Sequence, residues 1–305
     1  MFYKEENMAR ETHPHRHQAF QAILLAITGF WAYSVADLCS KVLQEHYSIY
    51  QVLAVSSFSA LAIVSLWLFG KHGVKGFVPK KIKLHAIRAF VIMATAYFFV
   101  RSLHMLPLAD FYGISFLMPF LGMMLSALFL KEHVGWHRWL AAALGFAGVL
   151  VLAGPQFQTI GEGVVCATLG ALCGAINMIL IRKIGHGEPL PLYGIYPFAA
   201  ILLFNVAGLW ATNSYVPFRV EDAPYFLIHG PVIVLAITCT SLAFARAPET
   251  AVVAPFQYTQ AVWGVLFGWI FFAALPDVTT WTGLIMIVTA GLYMVWREHV
   301  RHITH

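Results

Sequence analysis

Charge is what this 305-residue sequence has least of: Asp, Glu, Lys and Arg make up 11% of it, against 60% hydrophobic residues. Folded soluble domains carry roughly a quarter charged residues, so the composition excludes an ordinary globular enzyme and a nucleic-acid-binding domain. Cysteine is scarce too. Cys39, Cys166, Cys173 and Cys239 all lie within apolar runs and form no CxxC pair, which argues against disulfides and a zinc site. The signatures of nucleotide chemistry are missing: there is no P-loop, no Gly-rich dinucleotide fingerprint and no nucleophile motif. No cofactor is expected, and ATP-driven work by this chain alone is disfavoured. Histidine is plentiful, but neither His13, His15 and His17 nor the pair His133 and His137 has an acid or cysteine to complete a metal site.

Long apolar runs take the place of charge. Ten can be marked, at 20–38, 49–69, 84–101, 108–129, 137–153, 163–181, 191–210, 223–244, 251–273 and 279–296. Each is near the roughly 20 residues that cross hydrocarbon. The first follows Glu5, Glu6 and Glu11 with no small-residue cleavage site, so it reads as a retained helix and not a signal peptide. Short loops leave no room for a separate soluble domain.

The net charge of +5 is a matter of topology. Taking the loops alternately, 16 of the 19 Lys and Arg fall on one side, and only Lys41, Arg101 and Arg219 on the other. That bias puts both termini in the cytoplasm. The two halves also echo each other. Ser40-Lys41 and Arg182-Lys183 are displaced by 142 residues, and Ala147-Gly148 and Ala290-Gly291 by 143. Five spans per half is odd, so the second copy enters the bilayer from the opposite side, as in inverted-repeat carriers. The expected fold is an all-α membrane protein of ten transmembrane helices in two inverted five-helix repeats. Residues 1–19 form an N-terminal tail, 20–153 and 154–296 the repeats, and 297–305 a C-terminal tail.

Polar residues inside the runs mark candidate sites, because an unpartnered amide or acid in hydrocarbon costs a few kcal/mol. The ninth run places Gln257, Gln260 and Gly264 on one helical face, flanked by Phe256, Trp263 and Phe267, with Pro255 near its start. Phe30, Tyr33 and Asp37 share a face of the first run. Asp37 reads either as an interfacial acid paired with Lys41 or as a site for a cation or proton. Arg101, one turn beyond Tyr97, either pairs with Asp110 or reads a carboxylate. The fourth run aligns Tyr112, Ser115 and Pro119, with Pro119 near mid-membrane. In the sixth, Gly170 and Gly174 imply close helix packing, and Asn177 is an interhelical clamp or a ligand contact. Ser241 lies with Thr238 on the eighth, where bonding back to helix carbonyls is the usual fate. The aromatic faces of Tyr33, Tyr97, Tyr112, Tyr258 and Trp263 suit a planar group or a cation over a ring.

The segments WAYSVADLCSK (31–41) and LPLADFYGISFLMPFLGMMLSALFLKE (106–132), with the endings AGVLVL and AGLYMV, resemble the EamA-type drug/metabolite transporters over nearly the whole chain. Asp37-x-x-Ser40-Lys41, Ala254-Pro255-Phe256-x-Tyr258 and Pro276-Asp277 are most similar to a branch that includes bacterial S-adenosylmethionine uptake carriers. The resemblance implies a secondary carrier of a small polar or amphipathic metabolite in the bacterial cytoplasmic membrane, with a cavity between helices 1, 3, 4, 6, 8 and 9. Two departures stand out. Met118-Pro119 and Gln260-Ala261 occupy positions where such carriers often have Glu-Pro, and Lys131-Glu132 has only Ala273-Ala274 opposite it in the second repeat. The expected partners are a small-molecule substrate and the lipid bilayer, with no nucleic acid. Proton or ion coupling and a homodimer stay open. The alternatives are an exporter of amino acids or related metabolites and, in another class, a membrane scaffold or membrane-embedded enzyme.

Overall fold

The computed structural model describes residues 2–106, 111, 114–132, 134–153, 161–272 and 278–301, and every regular element among them is helical. The chain runs through α1 (Phe2–Leu43), α2 (Ile49–His72), α3 (Ile82–Met105), α4 (Leu117–Phe129), α5 (Trp136–Ala153), α6 (Glu162–Ile184), α7 (Leu192–Thr212) and α8 (Ala223–Arg246). A helical turn (Thr250–Val253) and a 3-10 segment (Ala254–Tyr258) then lead into α9 (Thr259–Phe272), and α10 (Val278–Arg301) follows. Among the described residues, six helices are long and apolar enough to cross a membrane: Ala19–Leu43, Ile49–His72, Ile82–Met105, Glu162–Ile184, Leu192–Thr212 and Val220–Arg246. Phe58, Leu66, Leu203, Leu227 and Ile270 are exposed on the outside of the bundle, where hydrocarbon would solvate them.

Local chemistry sets the helix ends. The Ser48 hydroxyl accepts from the Gln51 amide at 3.3 Å and starts α2, and Gly185 takes a left-handed φ of 69° where α6 stops. Residues 2–19, expected as a tail, are helical and run into the span that begins at Ala19. One expectation is corrected. The ninth run is not one regular helix, because Pro255 offers no amide hydrogen and the chain tightens into the 3-10 segment there. Pro119 lies in the first turn of α4, just after the turn at Phe116 that separates this helix from the helical residues Ile114 and Ser115.

Helix starts at 49, 82, 117 and 136 recur at 192, 223, 259 and 278, displacements of 141 to 143. Packing repeats in the same sense. α1 lies on α8 and α3 on α6; α2 pairs with α7 and α5 with α10; α4 reaches α6 as α9 reaches α1. Exchanging each helix for the one five places along leaves this set of pairs unchanged.

The α1–α8 contact can be tested at Gly29. A Cβ built at Gly29 would lie 2.6 Å from Thr240 Cγ2 and 3.0 Å from the Thr240 backbone nitrogen. Backbone cannot give way as a flexible side chain can. Gly29→Leu is expected to destabilise by roughly 1 to 3 kcal/mol, the range for overpacking, seen as a lower melting temperature in detergent. Wild-type melting would mean that the two helices are not this close.

Candidate functional site

A cavity of about 190 Å³ lies between the two halves of the bundle, lined from α1, α2, α3, α6, α7, α8, the start of α4 and the residues before it, the 3-10 segment and the start of α9. Its walls are mainly apolar, and Phe30, Tyr33, Phe99, Phe111, Phe116, Phe198 and Phe244 give them aromatic faces. They come from both halves of the chain.

A few polar groups interrupt these walls. Tyr33, Asp37 and Ser40, one turn apart on α1, all line the cavity. His229 of α8, buried, places Nε2 3.2 Å from the Ser40 hydroxyl oxygen. Ser56, Ser57 and Thr95 line it as well, but their hydroxyls donate to carbonyls of their own helices. Three lining residues are different: Ser115 Oγ, His229 Nδ1 and Gln257 Oε1 are buried with no hydrogen-bond partner among the described residues. Gln257 is 2% exposed.

Of the residues marked from sequence, Tyr33, Asp37, Asn177, Gln257 and Gln260 come together on this cavity. Gln257 arrives from the 3-10 segment and Gln260 from the first turn of α9, so the irregular backbone at Pro255 still brings both amides to one side. Tyr97 and Arg101 line a second hollow of about 220 Å³ with Gln44, Tyr50 and His104. There Tyr97 stacks on Tyr50 with ring centroids 6.3 Å apart. Arg101 donates from Nε and Nη2 to Glu162 Oε1, at 3.1 and 3.0 Å. Glu162 is thus its partner, while Asp110 lies outside the described residues. Tyr258 packs on Phe116 and over Gly145; neither it nor Trp263 is among the lining residues. Ser241 sits behind the wall, accepting from Arg88. Tyr112 lies outside the described residues. Gly170 and Gly174 are filled from opposite by Phe99 and Met118 side chains, not by a closely approaching backbone.

The sequence gives Arg88 and His229 no place in the site, and Ser40 only a place in a motif. Counting Lys and Arg by loop takes in Arg88, although it falls inside the third apolar run. It is fully buried between α3, α6, α7 and α8. A charge within a span was the available signal. Among the described residues, no group of three His, Cys, Asp or Glu could hold a metal ion.

The two ends of the bundle are braced by polar contacts. At one, Glu132 accepts from Arg182, and Arg138 pairs with Glu249. There too the Lys81 ammonium donates to the carbonyls of Lys183 and Ile184, and its backbone amide to Glu188. At the other, Tyr47 donates to Asp222, and Arg101 meets Glu162.

Residues 20–154 match the model of the EamA-like transporter family. An S-adenosylmethionine uptake transporter of Rickettsia felis is 25% identical over 268 residues, covering 87% of this chain and 89% of the relative. A riboflavin transporter of Rhizobium johnstonii is 26% identical over 277 residues, covering 82% and 91%. One solved crystal structure shares the fold with a TM-score of 0.70 at 18% identity, covering 92% of this chain and 96% of that one.

Proposed function

We propose that this chain, an integral multi-pass transporter of the EamA-type drug/metabolite family, carries a small metabolite bearing a planar nitrogen heterocycle across the bacterial cytoplasmic membrane by alternating access. The observation that carries this reading is the set of three buried, unpartnered polar atoms on Ser115, His229 and Gln257 in a cavity lined mainly by apolar and aromatic side chains. Such an atom costs about 1 to 3 kcal/mol until something satisfies it. A planar heterocycle does both jobs at once: its faces lie against Phe and Tyr rings, and its edge carries donors and acceptors. The relatives named as carriers of S-adenosylmethionine and riboflavin agree with this class. The two compounds differ in charge and share a planar nitrogen heterocycle. Asp37 on the wall makes a neutral or cationic substrate a better match than an anion.

Alternating access follows from the repeat. The displacement of 141 to 143 residues in helix starts and the exchangeable helix pairs support two copies of one five-helix unit. The 16-to-3 charge bias supports cytoplasmic termini, and with five spans per unit the copies are inverted. A cavity at their interface can then open to either side as one unit rocks on the other.

The test is a thermal-shift measurement on purified protein with adenosine, S-adenosylmethionine and riboflavin. A ligand at a hundred times its dissociation constant stabilises by about 2.7 kcal/mol. Gln257→Leu is expected to weaken the binding of a responding probe by about 1 to 3 kcal/mol, with melting of the free protein unchanged or higher. A wild-type protein that responds to none of the three probes would sink the reading.

A further inference from the structure

Arg88 is the largest fully buried side chain among the described residues. Its hydrogen-bond partners among the described residues are all neutral. Nε donates to Asn177 Oδ1 and Nη2 to Ser241 Oγ, each at 3.0 Å, while Nη1 donates to the Tyr193 carbonyl. The guanidinium also lies 5.3 Å from the centre of the Tyr193 ring. No carboxylate among the described residues forms an ion pair with it. As filler this is a poor choice, since a buried cation is penalised by desolvation and an apolar side chain of similar volume is not.

The geometry gives it another use. A guanidinium carries five N–H donors and no acceptor. The amide atom of Asn177 that faces Nε is therefore Oδ1, and an asparagine held this way cannot flip. Its Nδ2, with two hydrogens, is turned away from Arg88, and Asn177 lines the cavity. Ser241 and the Tyr193 carbonyl hold the other two arms, from α8 and from the start of α7, so the guanidinium plane is fixed from three helices.

We propose that Arg88 is a positioning residue: from behind the cavity wall it locks the Asn177 amide so that Nδ2 donates a hydrogen bond to an acceptor atom of the substrate. This rests on the heterocycle reading for the identity of the acceptor, and adds that the α6 wall presents a donor. It also reconciles the two roles open to Asn177, which clamps through its oxygen and binds through its nitrogen.

Asn177→Asp separates the roles, because a carboxylate still satisfies Arg88 but brings no donor to the cavity. With the same three probes, Asn177→Asp should melt no lower than wild type and bind the responding probe at least tenfold more weakly. Arg88→Lys, again donor-only, should keep more affinity than Arg88→Gln, whose amide can present either atom to Asn177. Wild-type affinity in Asn177→Asp, or Arg88→Gln binding as well as Arg88→Lys, overturns the proposal. If wild type ignores all three probes, the heterocycle reading fails on its own. Asn177→Cys in a cysteine-free background then decides: labelling by a water-soluble thiol reagent supports a cavity-facing side chain, and protection overturns it.

Discussion

Glu132→Ala is expected to lower the melting temperature more than any other single change at the braced end of the bundle. Glu132 Oε1 accepts from Arg182 Nε at 3.0 Å and Nη2 at 2.7 Å, and Oε2 accepts from the Thr250 amide at 2.8 Å. The two side chains are only 9% and 17% exposed. Removing one partner of such a pair leaves the other charge uncompensated and typically costs about 3 to 5 kcal/mol. Arg182 also donates to the carbonyls of Ala247 and Pro248, which places the expected loss near 3 kcal/mol. The contact has a second consequence. Glu132 belongs to the α4–α5 connection, whereas Arg182 and Thr250 belong to the second half of the chain. Any motion that opens this end must part them, as it must part Arg138 from Glu249. A cysteine at Ile181, which lines the cavity, should therefore react faster with a thiol reagent applied from the cytoplasm in Glu132→Ala than in an otherwise wild-type protein. Unchanged melting and labelling would show that the pair neither braces nor gates.

Much of this scaffold was legible in the sequence. The bounds of α2, α3, α5, α6, α7 and α8 follow the apolar runs within a few residues, and the displacement of 142 read from Ser40-Lys41 and Arg182-Lys183 returns in the helix starts. Periodicity fails where it assumes a regular helix. Pro255 was visible, but the 3-10 segment it forces moves Tyr258 into packing against Phe116 and over Gly145 and away from the cavity. Spacing along one helix also says nothing about what stands opposite. Arg101 has the right position to read a carboxylate, and Glu162, 61 residues on, supplies one. Arg88 was hidden for another reason: counting Lys and Arg by loop ignores depth, and only the tertiary fold shows three neutral partners closing round the guanidinium. Glu132 has no acidic counterpart in the second half because its work is done across the repeats, with Arg182.

Asp37→Asn is expected to produce the largest loss of transport of any isosteric change. Asp37 shares its face of α1 with Tyr33 and Ser40, and all three line the cavity. It is the one Asp, Glu, Lys or Arg among the described lining residues. Asparagine keeps the shape and two of the polar atoms, and removes the charge. A hydrogen bond to a charged group contributes about 1.5 to 3 kcal/mol, so uptake of a cationic probe at low concentration should fall roughly tenfold to a hundredfold. Insertion and melting should not suffer, because a neutral side chain is the easier one to place in a membrane. The charge of the probe separates the roles open to this residue. If Asp37 meets the substrate's own charge, a neutral probe should be affected much less than a cationic one. If it carries a coupled proton, both should fall together, and the dependence of uptake on a proton gradient should vanish with them. Wild-type uptake of both probes by Asp37→Asn would place the acid outside the transport step, as an interfacial partner of its own helix end.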